Sequence, residues 1–421
     1  MRVVVVGGGV AGLSQVAQLS CLPQVASLAL VAGTTRAAAR FGLHTGLWNP
    51  ALRVLNRLGL LKAIEAKGRY LAQSGYKAYD QKDASRWLMR PNRSLAASAG
   101  PDPALLFLPN EDLLSILQSA THPSTQLLAS NLTGVDILSS QCTTSCGAVL
   151  PFDLLVAADG SHSAVRRLLK QTDKLVYRGY CVFRGHVSLA AANQSLSAQG
   201  AALLRQQAWQ SLGPACRFAV VPTATGYHWY AAVTMPAPSA TKAEEAGLGW
   251  GPLGNGTRAA SGHELEKLQQ ALTPFHAPTL DLVLLTAPEA VSISPAWASA
   301  SASSPPPSPL SGGVVFVGDA SVTLDPILAV GAGVAIEDSQ HVADAVAACA
   351  NNPADIARFV DERRRGRLQR LAGISDLAQS VGHLRSAYAC GARDGLINLA
   401  PHGLTGAALD AIIQMSSECS V

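Results

Sequence analysis

Charged and aromatic side chains are scarce in this 421-residue sequence, at 14% and 5% of the residues. Intrinsic disorder is excluded, because a disordered chain needs low hydrophobicity and 48% of these residues are hydrophobic. A net charge of only +4 excludes the strongly basic surface with which proteins bind nucleic acid. The length predicts two or three structural units of about 100–200 residues each.

A transmembrane segment is not expected, although residues 3 to 35 contain no charged side chain. A bilayer span needs about 20 consecutive, mostly apolar residues, and here glycines, glutamines and a proline interrupt the run. A secretory signal peptide, with Met1 and Arg2 as a short basic region, is the less favoured alternative. We expect a cytoplasmic protein, or an organellar one if a targeting peptide has been removed. The surplus of apolar residues also suits peripheral contact with a membrane.

Paired cysteines are missing as well, since the eight cysteines contain no C-x-x-C spacing. Zinc and iron–sulfur sites need clustered ligands, so we expect no metal site. Cys142 and Cys146 are the nearest pair, and they lie in a Ser/Thr-rich segment where a structural role is favoured. Reduced cysteines are typical of an intracellular protein.

The chain opens with the pattern of a strand, a glycine-rich turn and a helix. Arg2 to Val6 is a short run rich in valine, and Val10 to Ser20 has apolar residues at helical spacing. A second apolar run, Leu28 to Val31, completes a βαβ unit with parallel strands. Because such strands are buried on both faces, this unit also explains the charge-free stretch.

The turn after the first strand has the sequence G-x-G-x-x-G. Glycines permit a tight turn and the close approach of a pyrophosphate, and the N-terminus of the following helix supplies unpaired N–H groups. The sequence therefore predicts dinucleotide binding by Gly7, Gly9, Val10, Ala11 and Gly12.

One element of a dinucleotide site is missing after the second strand. An acidic residue there usually binds the ribose hydroxyls, but Ala32 and Gly33 are followed by Thr34 and Thr35. We expect Gly33 to lie next to the cofactor and either threonine to bind the ribose. Because Arg36 is nearby, this motif alone leaves NADP and FAD as alternatives.

Further along, the pattern alternates between helices and strands. Helices are predicted over Trp48 to Leu60, Asp112 to Ser119, Gly331 to Cys349 and Asp355 to Val381, and buried strands over Phe152 to Ala158 and Val314 to Val317. A hairpin is predicted over Tyr76 to Leu88, and antiparallel strands over Val176 to Val187, Arg217 to Val221 and Tyr227 to Met235. Surface loops are expected over Pro236 to Gly262 and Ser299 to Pro309. A solvated basic face is expected for the long late helix, formed by Arg363, Arg364, Arg365, Arg367 and Arg370.

Two downstream motifs accompany the opening one. The first runs from Asp153 to Arg166 and contains Asp159-Gly160, and the second is Gly318-Asp319-Ala320. After the second come Asp325-Pro326, Gly331-Ala332-Gly333 and Glu337-Asp338. In this order, from residue 3 to residue 370, the sequence resembles the FAD-dependent monooxygenases. That group includes para-hydroxybenzoate hydroxylase, salicylate hydroxylase, zeaxanthin epoxidase and the ubiquinone-pathway hydroxylases.

The resemblance implies an α/β fold with a Rossmann-like FAD-binding domain, an inserted, mainly antiparallel substrate sheet and a C-terminal helical segment. The FAD-binding domain is predicted in three parts, the substrate domain in two, and the rest as a loop and helices. The FAD-binding parts are 1–72, 100–174 and 313–352, the substrate parts 73–99 and 175–298, the loop 299–312 and the helices 353–421.

The resemblance also implies FAD contacts, which agree with simple physical arguments. Asp319 follows a buried strand at the carboxyl edge of the sheet, where an acceptor binds the ribityl or ribose hydroxyls. Gly331, Ala332 and Gly333 open a helix whose N–H groups face the flavin pyrimidine edge. The remaining FAD contacts implied are Arg40, Asn110, Asp159 and Pro326. Asp159 is also a candidate cap for a helix that begins near Ser161.

Several positions depart from the family pattern. Asn110 stands where relatives have an arginine, and Val322 replaces the histidine often found after Gly-Asp-Ala. The usual Gly-Gln-Gly becomes Ala329-Val330-Gly331. FAD binding with altered contacts is the expectation.

The substrate side has fewer signals. The segment from Gly179 to Gly185 resembles the first strand of the family's substrate sheet. Aromatic candidates for a pocket lie on the predicted strands, although aromatic residues on strands are more often part of a core; they are Tyr180, Phe183, Phe218, Trp229 and Tyr230. No acid–base set stands out, and the catalytic candidates are Asp325, Pro326 and Arg184.

The resemblance implies that NADPH or NADH reduces FAD and that O2 then adds at flavin C4a. The resulting hydroperoxide hydroxylates an aromatic compound or oxidises an apolar, isoprenoid-like one. The protein itself supplies binding, orientation and exclusion of water. Two alternatives remain: an oxidase, reductase or halogenase of the same fold, although the halogenase W-x-W-x-I-P signature is absent, and a non-catalytic flavoprotein.

Overall fold

In the computed structural model, the described residues are 1–33, 43–81, 86–92, 104–171, 175–236, 257–300, 313–349 and 352–417. They form a mixed α/β structure with a parallel sheet, a large second sheet and a helical C-terminal part. This agrees with the predicted fold class. The positions of the unit boundaries stay a prediction.

A five-stranded parallel sheet contains both halves of the opening βαβ unit. Its strands, in spatial order, are Val314–Phe316, Leu154–Ala157, Arg2–Val6, Ser27–Val31 and Gln126–Leu128. The first strand pairs in parallel with its neighbours on both sides, so that Val5 lies between Val156 and Leu30. Val3 to Val6 are fully buried, which is why this stretch carries no charge.

Helices cover one face of this sheet. Val10–Leu19 packs against Gly331–Cys349, which in turn packs against Pro353–Gly382 and Asn49–Arg57. Their apolar side chains form the main core together with the inward residues of the strands.

Two three-stranded antiparallel sheets flank the parallel sheet. One has the order His44–Trp48, Leu105–Pro109, Arg69–Tyr70, and the other Val149–Pro151, Gln141–Thr144, Leu132–Asp136. The helices in this part of the chain are Leu61–Lys67, Asn110–Ser119 and Ala164–Leu168.

The predicted substrate sheet has seven strands among the described residues. In spatial order they are Arg258–Ala259, Ser292–Ser299, Leu175–Ser188, Gly226–Thr234, Cys216–Pro222, Ala208–Gly213 and Ser74–Ala78. All neighbours are antiparallel except the last pair, which is parallel. Leu189–Ser195, Ala198–Gln206, Gly262–Leu272 and Thr279–Leu284 are its helices.

The chain ends in the helices Ala387–Leu399 and His402–Ser417. No single helix of the described residues has the length and hydropathy needed to span a membrane. These last two pass that test only as a pair, and they meet at an angle of 108°.

The largest deviations from the sequence predictions concern strands. Trp48 ends a strand and the helix covers only Asn49–Arg57, because His44–Trp48 pairs with Leu105–Pro109. In the predicted hairpin, Tyr76 forms an isolated antiparallel bridge with Met89. The turn of that hairpin and most of both predicted loops lie outside the described residues.

The predicted basic face on Pro353–Gly382 is correct only in part. Arg363, Arg365 and Arg370 are exposed, whereas Arg364 and Arg367 are buried and form ion pairs. The sequence does not distinguish the exposed arginines from the buried ones. The carboxylates that pair with the buried arginines lie on another turn of the same helix and on a different helix.

Candidate active site

The glycine turn after the first strand is shaped by close backbone contacts. Gly7 has a φ of 117°, and a Cβ there would lie 2.3 Å from the carbonyl oxygen of Ala158. A Cβ on Gly12 would lie 1.7 Å from the carbonyl oxygen of Gly7. Neither position admits a side chain.

Gly9 differs from these two glycines because nothing lies within 4 Å of the Cβ position. It is the N-cap of Val10–Leu19 and contributes no side-chain cap. The space beside Gly9 is therefore open, and the N–H groups of the first helical turn, from Val10 to Gly12, have no earlier helical carbonyl to bind, as a phosphate site requires.

The end of the second strand carries no acidic residue, as the sequence shows. A Cβ on Gly33 would lie 2.1 Å from Oδ1 of Asn131, so an amide stands beside this strand end. The sequence contains no signal that Asn131 lies here, because Asn131 is far from Gly33 along the chain. The candidates Thr34, Thr35, Arg36 and Arg40 lie outside the described residues.

Asp159 follows the strand Leu154–Ala157 and caps the next helix. Its Oδ2 accepts a hydrogen bond from the backbone N–H of Val165 at 3.1 Å, and Ser163 caps the same helix through Arg166 N–H. The other oxygen, Oδ1, is buried and has no hydrogen-bond partner among the described residues. It remains available to a hydroxyl donor.

Asp319 follows the strand Val314–Phe316, at the carboxyl edge of the parallel sheet. Its side chain is reached by solvent, yet the protein around it desolvates the carboxylate and raises its pKa to about 6. The two observations agree if the carboxylate lines a deep, open cleft. Asp338 holds the turn, because its Oδ2 accepts from Gly318 N–H at 2.7 Å.

A tight turn follows from Asp325 to Ala329. Asp325 Oδ1 accepts from Ile327 N–H at 2.9 Å and from the Tyr180 hydroxyl at 2.5 Å. Its Oδ2 forms an ion pair of 2.8 Å with Arg178. Ala329 has a φ of 52°, a left-handed conformation that a glycine adopts more easily.

The helix after this turn begins at Gly331, which the sequence predicts correctly. A Cβ on Gly331 would lie 3.9 Å from Asp319 Oδ1, so the two motifs meet at one cleft. A Cβ on Gly333 would contact Ala51 at 3.7 Å, and Ala332 lies between the two glycines.

Asn110 begins the helix Asn110–Ser119 on the neighbouring small sheet. Its Oδ1 accepts from the Thr45 hydroxyl at 3.0 Å and its N–H donates to Leu43 O. Asn110 therefore supports the strand that leads to Trp48.

A cavity of about 120 Å³ lies between this turn, the large sheet and the C-terminal helix. Ile327, Leu328 and Ala329 line it from the turn, and Leu409 and Ile413 from the helix. The other lining residues are mostly apolar and aromatic, and they include Trp48, Leu71, Phe107, Tyr76, Val221 and Tyr230.

Alternation along the strands decides which residues face this cavity. Tyr230 lines it, and its cross-strand partner is Arg184. Phe183, Phe218 and Trp229 are one residue out of phase and lie fully buried in the core on the other side of the sheet. That is a correction to their predicted place in a pocket. Tyr180 belongs to the cluster that includes Tyr230, on the cavity side.

Two arginines occupy the cavity face of the sheet. Arg184 donates to the Ser294 hydroxyl at 2.6 Å, and burial lowers its pKa to about 10. Arg217 is 3% exposed, and its guanidinium carbon lies 5.9 Å from the centre of the Tyr180 ring. From the sequence alone, Arg217 is only part of a predicted strand, and its place in phase with Ala219 and Val221 is the signal that indicates which way it faces.

Three histidines meet near the same face. The His44 ring stacks on His186 with centroids 5.3 Å apart and lies 4.8 Å from His228. Burial lowers the pKa of His228 well below its usual range, and the neighbouring His44 and Arg184 add to this effect. The sequence predicts a structural or surface role for His44 and His228, and a neutral, packed His228 agrees with that role.

No family model matches the chain. A relative among curated proteins is the aurachin C monooxygenase/isomerase of Stigmatella aurantiaca. It is 27% identical over 248 residues, which are 59% of this chain and 56% of that protein. The chain thus spans about half the length of this relative.

Solved structures match over nearly the whole chain. Klebsiella pneumoniae HpxO, complexed with FAD and uric acid, has a TM-score of 0.75 at 19% identity, covering 99% of this chain and 97% of HpxO. Pseudomonas aeruginosa PqsL, a probable FAD-dependent monooxygenase, has a TM-score of 0.70 at 18% identity, covering 93% and 99%. The predicted resemblance is confirmed at the level of structure: the chain has the fold of the FAD-dependent aromatic hydroxylases.

Proposed function

We propose that this protein is an FAD-dependent monooxygenase that uses NADPH or NADH and O2 to oxidise an aromatic or apolar small molecule. The observation that carries the proposal is the junction of two spaces at one turn. Asp319 and Gly331, the two ends of one segment, come together at the cleft. The apolar cavity begins at Ile327 to Ala329, in the middle of that segment.

The residues of the cleft fit FAD. The open space over Gly9 and the unpaired N–H groups behind it accommodate the pyrophosphate. Asp319 and the unpartnered Oδ1 of Asp159 would accept hydrogen bonds from ribose or ribityl hydroxyls. The helix that begins at Gly331 would direct its N-terminal dipole at the flavin ring.

The chemistry that FAD supplies is the transfer of electrons from NAD(P)H to O2 and of one oxygen atom to the substrate. The protein's own part is binding, orientation and the exclusion of water. Asp325 fixes the turn that carries Pro326, since its carboxylate binds Ile327 N–H, Tyr180 and Arg178 together. Pro326, in this turn, and Arg184, on the cavity face of the large sheet, stay the other two predicted catalytic residues.

The cavity supports a substrate with a large apolar surface. Its walls are mainly aliphatic and aromatic, and the C-terminal helix closes one side with Leu409 and Ile413. HpxO is complexed with uric acid, which is a ring compound. We infer a planar ring compound as the substrate here.

Purified protein tests the proposal directly. We expect a yellow protein with a flavin absorption spectrum, whose FAD is reduced by NADPH or NADH, with O2 uptake that an aromatic ring substrate stimulates. Oxygen uptake with no oxygenated product would favour an oxidase or reductase. A protein that takes up FAD but accepts electrons from no donor would contradict an enzymatic role, and one that cannot take up FAD would overturn the cofactor assignment.

The raised pKa of Asp319 predicts a pH-dependent affinity for FAD. Hydroxyl donors bind the carboxylate better than the acid, and the pKa of this carboxyl in the cofactor-free protein is about 6. Below pH 6 the proton must leave before these bonds form, so the Kd for FAD should rise as the pH falls from 7 to 5. Titration of the cofactor-free protein with FAD, followed by quenching of flavin fluorescence, measures this.

The same proton linkage affects stability in the cofactor-free protein. Because the folded-state pKa of Asp319 lies above its usual value of 3.8, folding is favoured by the protonated form. This contribution is present below pH 3.8 and is lost as the pH rises to about 6. Asp319→Asn should flatten both pH dependences, and an unchanged profile for FAD binding would refute the assignment of Asp319 to the cofactor.

A further inference from the structure

The two helices at the end of the chain, Ala387–Leu399 and His402–Ser417, expose large apolar side chains. Single apolar residues are normal on a protein surface, whereas a concentration of large ones marks an interaction site. Four such side chains, each between 65% and 88% exposed, lie on these helices; they are Tyr388, Leu396, Leu399 and Leu404. The exposed sides of the two helices are together called the C-terminal face.

Helical spacing separates the apolar and the charged residues of the first of these helices. Tyr388, Gly395 and Leu399 are exposed, and their seven- and four-residue spacing places them on one side of the helix. Arg393 and Asp394 are its only charged residues, and both are buried and form an ion pair of 2.7 Å. The exposed side of this helix is therefore uncharged.

The last helix is apolar on two opposite sides. Leu409 and Ile413 are buried and line the cavity. Leu404, Ala408 and Ala411, at four- and three-residue spacing, are exposed on the other side. A helix that is apolar all round is normally covered all round, but the described residues cover only the cavity side of this one.

Polar groups are few on the C-terminal face. Among the side chains that the structure describes on these helices, Asp410 is half-buried, and besides the Tyr388 hydroxyl only Asn398 and Gln414 are polar and exposed. A surface that binds another protein has a polar rim around its apolar centre, so this composition disfavours a second copy of the chain as the occupant.

The same composition fits a lipid bilayer. The two helices together have the hydropathy of a membrane segment, and they meet at 108°. Uncharged apolar side chains enter the boundary between headgroups and acyl chains, and a tyrosine such as Tyr388 places its ring there with the hydroxyl toward water.

The position of the cavity also favours a bilayer. Leu409, Ile412 and Ile413 line the cavity from one side of the last helix, and the C-terminal face is on the other side. An apolar ring compound, the substrate class proposed above, partitions from water into a bilayer. A bilayer on the C-terminal face would hold such a compound one helix away from the cavity, and this single argument rests on the proposed function.

We propose that the C-terminal face docks on the surface of a phospholipid bilayer. Burial of apolar side chains drives the docking, since the described part of this face offers no exposed positive charge to anionic headgroups. Docking of this kind needs no anionic lipid. Salt does not weaken it, because salt screens charges and leaves apolar burial intact.

Flotation of the full-length, FAD-loaded protein with phosphatidylcholine vesicles tests the proposal. We expect the wild type to float with the vesicles at low and at high salt. The double variant Leu399→Ser with Leu404→Ser should lower the partition coefficient about tenfold or more, because two leucines no longer enter the bilayer.

A matched control removes two exposed apolar side chains elsewhere. Leu138 and Val149 are exposed on the small antiparallel sheet that contains Gln141–Thr144. The double variant Leu138→Ser with Val149→Ser should float like the wild type. An equal loss in both double variants would overturn the proposal, since it would show that apolar residues bind vesicles wherever they lie.

Three further results would overturn the proposal. The first is a wild type that stays in solution. The second is binding that requires phosphatidylglycerol and disappears at high salt, which is typical of a basic surface. The third is a lipid-free dimer, seen by sedimentation velocity, that Leu399→Ser with Leu404→Ser dissociates, because a second copy would then cover the face.

The melting temperature shows whether the leucine variant is folded. Both leucines are exposed, so it should match that of the wild type. If it is lower, Tyr388→Ser, which changes the same face by one exposed residue, takes the place of the double variant. A folded variant that floats as well as the wild type would assign the docking to another surface.

Failure of this inference can be distinguished from failure of the proposed function, because docking requires neither FAD nor a substrate. FAD content and reduction by NADPH are measured on the same preparations. Normal reduction without flotation contradicts only the docking. Flotation of a protein that takes up no FAD contradicts only the proposed function.

Discussion

Gly12→Ala should yield little folded protein and no flavin binding. The added methyl would lie 1.7 Å from the carbonyl oxygen of Gly7, which is backbone and part of the same turn. That turn cannot move away, since Gly7 itself is pressed against Ala158, where a Cβ would lie 2.3 Å from the carbonyl oxygen. To relieve the clash, the helix Val10–Leu19 would have to separate from the first strand. That separation would disrupt a large part of the core.

Gly9→Ala is the matched variant in the same turn. Nothing lies within 4 Å of its Cβ position, and its φ of −84° is allowed for alanine, so the fold should be retained. The methyl would instead occupy the space that a pyrophosphate needs. We expect a soluble, colourless protein whose circular dichroism spectrum matches that of the cofactor-free wild type.

Expression level, far-UV circular dichroism and bound flavin distinguish the two variants. A yellow Gly9→Ala protein with wild-type FAD affinity would contradict the assignment of this turn to the pyrophosphate. A well-folded Gly12→Ala protein would show that the turn is more adaptable than its contacts indicate.

Glu337→Gln should lower the free energy of unfolding by about 3–5 kcal/mol, which is typical when one partner of a buried ion pair is removed. Glu337 binds Arg367 through both oxygens, and both residues are at most 5% exposed. The substitution would leave the Arg367 guanidinium buried beside a neutral amide. Urea-induced unfolding of the cofactor-free protein measures the loss.

Two controls belong with this experiment. Glu362→Gln changes an exposed carboxylate on the helix Pro353–Gly382 and should alter stability by less than about 0.5 kcal/mol. The double variant Glu337→Leu with Arg367→Met replaces the pair by apolar side chains and should recover much of the loss. If Glu337→Gln unfolds at the same urea concentration as the wild type, the ion pair of Glu337 and Arg367 does not hold the helices Gly331–Cys349 and Pro353–Gly382 together.

The structural elements that the sequence predicts correctly are those that depend on a local pattern of residues. The βαβ unit is predictable because Arg2–Val6 and Ser27–Val31 are short apolar runs around a glycine turn, and such runs are typical of a parallel sheet that is covered on both faces. The helix Gly331–Cys349 and the place of Asp319 followed from the same logic. The strands His44–Trp48 and Leu105–Pro109 were missed, because each is stabilised by the other across some sixty residues of sequence.

The features that the sequence does not predict depend on contacts between distant segments. Trp229 and Tyr230 are adjacent and both aromatic, and only the register of the assembled sheet shows that Tyr230 faces the cavity. The wall formed by Leu409 and Ile413 comes from the last helix, and no pattern in that helix identifies its partner.

The strand order of the parallel sheet has a consequence for biosynthesis. Its edge strand Val314–Phe316 pairs with Leu154–Ala157, and the helix Gly331–Cys349 covers Val10–Leu19. The strand Arg2–Val6 is therefore synthesised more than 300 residues before Val314–Phe316, the strand that completes its sheet. Assembly of such distant segments is slow and leaves apolar strands exposed meanwhile. Production of this protein should thus depend on chaperones more than its final stability suggests.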